Sequence, residues 1–249
     1  MKLTPTLAAL ALPFTMIATA AHAQDQPGTA QAADDQQKAE KEAAGPWDIE
    51  GEVTANSDYR FRGISLSDKD PELTASLTVS HESGLYASAW GSNVNLDDAN
   101  GDEFELDLTG GFSHDLGPVN LDVNAVYYLY PGHGGISYYE FNASLGYSIG
   151  EGEVRAGFAY APSQENIGDV SNRYYYVSAD FPIKNTPASL HGSFGIEDGA
   201  FGDKKRDWLL GASYDLGSGF TATADYIDTA RAFDPLGSAT VVVRLGKTF

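Results

Sequence analysis

Few side chains in this sequence are spaced for chemistry. His191 and Ser193 stand two residues apart, which places a base and a hydroxyl on one face of a β-strand. Some outer-membrane barrels use such a pair to hydrolyse lipids, but no orienting carboxylate is evident beside this one. Residues 95–102, with three aspartates, have the look of a calcium loop. With Gly101 in the sixth place, however, the first ligand position is Leu96 and the twelfth is Asp107 rather than Glu. His81, His114, His133 and His191 lack metal spacing, and the chain has no cysteine. Nucleotide-binding glycine patterns are absent as well. The reading is therefore of a protein without enzymatic activity, metal or cofactor.

What remains is a set of charges that recur with the two-residue period of a strand. Glu52, Asp58, Arg60, Arg62, Glu105, Asp107, Asp122, Glu140, Arg155, Asp180, Asp225 and Arg244 all fall on the polar side of alternating segments. The opposite side carries Val, Leu, Ile, Phe and Tyr. On residues 119–129, Val119, Leu121, Val123, Ala125 and Tyr127 alternate with Asn120, Asp122, Asn124 and Tyr128. Residues 139–149 repeat the pattern, with Glu140, Asn142, Ser144 and Gly146 on the polar side. About twelve such segments follow one another from Trp47 to Phe249. The first is read through Arg62, with Ile49, Val53, Tyr59 and Phe61 together on its apolar side.

The connections alternate in length. Short turns fall at residues 81–84, 114–118, 150–152, 182–187 and 216–219. Longer polar connections fall at 63–71, 95–102, 131–137, 161–172, 197–205 and 229–238. A soluble sandwich also alternates in polarity. Two features favour a closed transmembrane barrel instead. Tyr127, Tyr139, Tyr147, Tyr160, Phe181, Trp208, Tyr226 and Phe249 stand near the ends of apolar faces, where aromatic rings meet a membrane boundary. Segments of about ten residues also match a tilted bilayer crossing. Because lipid offers backbone groups no partners, the sheet must close, with the first strand against the twelfth.

The N-terminus reads as an export signal over residues 1–23: Lys2, an apolar run, then Ala21-His22-Ala23 before the cut. Residues 24–46 read as a low-complexity periplasmic tether in which a short helix over 34–44 has room to form. Residues 47–249 are the barrel. The formal charge of -20, one unit more negative once Lys2 is removed, excludes nucleic acid as a partner. It also argues against docking on anionic lipid surfaces.

The last strand ends in Phe249 with apolar residues at alternate positions, as in the signal read by the outer-membrane assembly machinery. The segment Ser57-Asp58-Tyr59-Arg60-Phe61-Arg62-Gly63-Ile64-Ser65, together with Gly84-Leu85-Tyr86-Ala87-Ser88-Ala89-Trp90-Gly91-Ser92-Asn93-Val94, resembles the TorF family of proteobacterial porin-like proteins. The resemblance spans residues 47–249. It implies an outer-membrane barrel with a channel role and assigns no solute and no functional residues. The partners expected are outer-membrane lipid, the assembly machinery and small polar solutes. The expected lining is Glu52, Asp58, Arg60, Arg62, Asp122, Glu140, Arg155, Asp180, Asp225 and Arg244, acidic enough to favour cations or neutral solutes, with the arginines forming a constriction. Two alternatives stay open: a closed structural or adhesive barrel whose charges pair and plug the interior, and a barrel lipid hydrolase.

Overall fold

The computed structural model describes residues 45–95, 103–131, 136–232 and 235–249. The segments expected as signal and, in nearly all its length, as tether, the calcium-like loop beyond Asn95, and His133 lie outside the described residues. The remainder is a closed antiparallel barrel of twelve strands with a two-stranded hairpin inside it. In chain order the elements are β1 (Trp47–Asn56), β2 (Arg60–Phe61), β3 (Ile64–Ser65), β4 (Glu72–His81), β5 (Leu85–Val94), β6 (Glu103–Leu116) and β7 (Val119–Leu129). Then come β8 (Tyr138–Ile149), β9 (Gly152–Gln164), β10 (Val170–Pro182), β11 (Ala188–Gly199), β12 (Gly202–Gly217), β13 (Phe220–Ala230) and β14 (Thr240–Thr248).

Closure is made by β1 against β14, with Val53 opposite Lys247 and Asn56 opposite Arg244. The other wall pairs are neighbours in sequence, apart from β1 with β4 around the inner hairpin. The period-two reading holds along the wall. Ile49, Leu73, Leu77, Phe141, Leu145, Leu210, Val241 and Val243 stand exposed on the outside. Their neighbours Thr54, Asn124, Glu140, Asp225 and Arg244 are buried inside. The hydrophobic surface is thus turned out and the polar surface in, as a lipid-embedded ring requires.

The connections at one end, which also bears both wall termini (the turn end), are tight. At Gly84 the φ of +93° lets the amide donate to His81 O at 2.8 Å. A side chain there would run into the Ser113 carbonyl. At the opposite, loop end, two connections expected to be long are short. A single 3-10 turn (Glu165–Ile167) joins β9 to β10, and only Ala200 and Phe201 separate β11 from β12. Polar residues such as Asn172, Glu197 and Lys205 continue the strand pattern there on the inner side.

The first strand is a second departure. It stops at Asn56, and residues 57–71 turn into the barrel before β4 begins. Tyr59, expected among the outward apolar residues, is 0 % exposed and packs on Trp90 with ring centroids 5.4 Å apart. Phe61 lies against Tyr128 at 5.9 Å. The polar run Asn56-Ser57-Asp58 breaks the outward apolar alternation, and Ser57 leaves the wall by bonding Val243 at both amide and hydroxyl.

Candidate functional site: the barrel interior

The interior has two levels. Near the turn end, Arg155 on β9 is a hub. It donates to Glu153 at 2.9 Å, Ser144 at 2.8 Å and Asn120 at 2.9 Å, joining β7, β8 and β9. Beside it, Asp122 accepts from Tyr86 at 3.1 Å and from Asn124 at 2.9 Å, and Asn142 donates to Asn124 at 2.9 Å.

Farther round the wall, His191 Nε2 meets Asp225 at 2.6 Å, and Arg244 meets the same carboxylate at 2.5 Å. His191 is on β11, Asp225 on β13 and Arg244 on β14. The strand crossed between the first two carries Gly211, in register with both. A β-carbon at Gly211 would fall on Asp225 Oδ1 and His191 Nε2. Glycine is therefore what lets the two side chains meet across β12. Gly146 serves in the same way beneath Arg155 and Glu153. Asp180 stands in register with both His191 and Glu153, extending this belt to β10. Glu52 accepts from Thr54 at 2.8 Å near the β1–β14 seam.

The loop-end level is filled by residues 57–70. Arg60 pairs with Asp58 at 2.6 Å and donates to the backbone oxygens of Gly63, Leu236 and Ser238. Asp58 also accepts from Ser65 at 2.6 Å. Arg62 reaches Glu140 on β8 at 2.6 Å and Glu197 on β11 at 2.8 Å. Its guanidinium lies 4.3 Å from the centre of the Tyr174 ring and 4.6 Å from that of Phe61. Lys205 on β12 completes the group, pairing with Glu197 at 2.6 Å and donating to Arg62 O at 2.8 Å. Tyr59, Trp90, Tyr128, Tyr130, Tyr138 and Val126 form a compact apolar core between hairpin and wall. Burial, reinforced by the Glu105 and Asp107 carboxylates, pushes the Tyr59 phenol up, so it stays a neutral O–H.

All ten residues expected to line the interior do lie inside the barrel, in different settings. Asp58, Arg60 and Arg62 belong to the inward-turned segment of residues 57–70 rather than to the wall, unlike Arg155 and Arg244. Glu140 is taken up by Arg62. Asp122, Arg155 and Glu52 form the turn-end level, and Asp180, Asp225 and Arg244 the His191 belt. His191 engages Asp225 rather than Ser193, and its Nδ1 has no hydrogen-bond partner among the described residues. The sequence reading passed over Glu197, Lys205, Asp207 and Tyr174. Continuing strand parity into the expected 197–205 connection would have found Glu197 and Lys205, and on the strand just beyond it Asp207.

Several interior acids are held by hydroxyls rather than cations. Ser92 donates to Glu72 at 2.6 Å, Tyr130 to Glu105 at 2.6 Å, and Tyr174 to Asp207 at 2.8 Å. Neither oxygen of Asp107 has a hydrogen-bond partner among the described residues. The arrangement leaves interior carboxyl groups, those of Glu105 and Asp107 among them, whose side chains form no ion pair among the described residues.

No curated protein matches the sequence. Solved structures match in fold. The KdgM porin aligns with a TM-score of 0.55 at 6% identity, over 81% of this chain and 97% of that one. It has also been solved in complex with disordered oligogalacturonate, with a TM-score of 0.54. The NanC porin aligns at 0.55 with 11% identity, over 81% of this chain and 99% of that one. A COG4313 outer-membrane channel from Pseudomonas putida F1 aligns at 0.50 with 10% identity, over 81% and 95%. At these identities the likeness is one of fold, a closed antiparallel barrel like those of these porins. The family comparison does not give the TorF name suggested by residues 57–65 and 84–94. It matches residues 40–249 to Gcw_chp, a bacterial protein family of unknown function, and the chain belongs to that family.

Proposed function

We propose that the protein is an outer-membrane channel for passive diffusion of small polar solutes, with a weak preference for cations or neutral molecules. In this reading residues 1–23 direct export, the turn end faces the periplasm, and Phe249 serves as the assembly signal. Phe249 is well placed for that role, outside the barrel and backbone-paired with Gly51 across the closing seam. The observation that carries the selectivity is the interior acid held by hydroxyls and amides rather than by bases. A lumen of that kind concentrates cations and repels anions. Reconstitution in a planar bilayer under a salt gradient tests it: the reversal potential is expected on the cation side, and an anion preference would refute the selectivity.

One observation favours a second reading, a closed structural or adhesive barrel. Residues 57–70 fill the loop end, and the charges of Asp58, Arg60 and Arg62 are paired. Liposome swelling separates the two, because a closed barrel admits no solute.

A further inference from the structure

Resting on the channel reading above, we propose that residues 57–70 are a displaceable gate, latched shut by Arg62 on the far wall. Three observations carry this.

The wall does not need the segment. Asn56 and Glu72 are direct register partners, so β1 and β4 are paired up to the point where the segment leaves and returns. The segment's own ladder is two residue pairs, Arg60 with Ser65 and Phe61 with Ile64. Swinging it out about Ser57, which can stay bonded to Val243, would unpair no wall strand.

The latch sits opposite the hinge. Around the ring from β1, the strand facing it is β9. Arg62 takes its contacts from the strands on either side of β9: Glu140 on β8, Tyr174 on β10 and Glu197 on β11. The segment therefore reaches across the lumen through the Arg62 side chain, while the backbone at its tip is held by Lys205 on β12 and Thr229 on β13. Arg62 suits the task because its planar fork can serve two carboxylates while its face lies on a ring.

The segment is also folded by its own short-range bonds. Arg62 and Gly63, with φ of +47° and +82°, are the two central residues of the β2–β3 turn, and Asp68 and Lys69, with φ of +54° and +66°, are those of a turn in which the Asp70 amide donates to Ser67 O at 3.0 Å. Such a unit can move as a body without losing its internal turns.

The test uses the full chain, which has no native cysteine. Ser65→Cys places a single thiol on a hairpin residue buried in the closed state. A membrane-impermeant maleimide should label it slowly. Adding Arg62→Gln should speed labelling about ten-fold, a conservative share of what removing one partner of a buried ion pair costs. It should also raise single-channel conductance. Arg62→Lys, which keeps the charge but loses the fork, should fall between them and carries the test if Arg62→Gln does not assemble. Heat-modifiable migration on gels verifies that each variant is a folded barrel. Equal labelling rates in folded variants would overturn the gate. Faster labelling with no current in any variant would keep the mobile segment and sink the channel reading instead.

Discussion

At the scale of single residues, the interior is organised by glycine as much as by charge. A tyrosine or an ion pair lies across a glycine of the adjoining strand at several places: Tyr86 over Gly111, Tyr176 over Gly157, Tyr174 over Gly195 and the His191–Asp225 pair over Gly211. Strand neighbours are normally separated by the side chain between them. Removing that side chain lets partners two strands apart come within hydrogen-bond reach, and glycines paired with aromatics also help a sheet curve. Gly211→Ala is therefore expected to destabilise the barrel by about 1–3 kcal/mol. Its new carbon would meet Asp225, His191 and the Ala224 backbone oxygen at once. Urea unfolding of the reconstituted protein measures this, and a stability equal to wild type would show that the pair is not confined as described. Strand parity puts these charges inside, but it is silent on which pair with which. Asp225 meets His191 and Arg244 because of where β11 to β14 sit in register, which no local pattern encodes.

At the scale of elements, the twelve wall strands follow from alternation because each crossing must satisfy lipid on one side and polar neighbours on the other. The inner hairpin escaped that reading for the same reason. Residues 57–62 keep alternating, so parity carries them on as wall. Only the polar run at 56–58 and Pro71 mark the segment's limits, and Tyr59 and Phe61 find apolar surroundings inside rather than in lipid. Likewise, β9 to β12 outrun their apolar bands with polar residues that resemble loop. If the hairpin is an insertion into a self-sufficient wall, replacing residues 57–71 with Asn-Gly should join Asn56 to Glu72 through a two-residue turn. The expected product is a heat-modifiable, folded barrel with several-fold higher conductance than wild type. Failure to assemble would show that the wall depends on the segment.

At the scale of the whole molecule, the deciding question is what surrounds the outer face. Water and hydrocarbon make opposite demands on the same leucines. Around the ring, outward positions are taken by Leu73, Phe141, Leu145, Val177, Leu190, Leu210 and Val243, and the polar residues are enclosed. In water this surface would drive association. In a bilayer it is solvated, and the closed ladder leaves no wall edge unpaired. Leu210, 67 % exposed near the middle of β12, reports on this directly. Leu210→Arg should cost about 2–4 kcal/mol when folding is measured into lipid vesicles, because a guanidinium at mid-bilayer must be dragged from water or bend the membrane to reach it. The same substitution at Leu216, 55 % exposed at the turn-end boundary of the same strand, should cost less than about 1 kcal/mol, since the charge stays near the headgroups. That depth dependence separates lipid from every other surrounding. A water-exposed face would tolerate both changes alike, and a protein–protein interface would respond according to its partner rather than to distance from the barrel's midline.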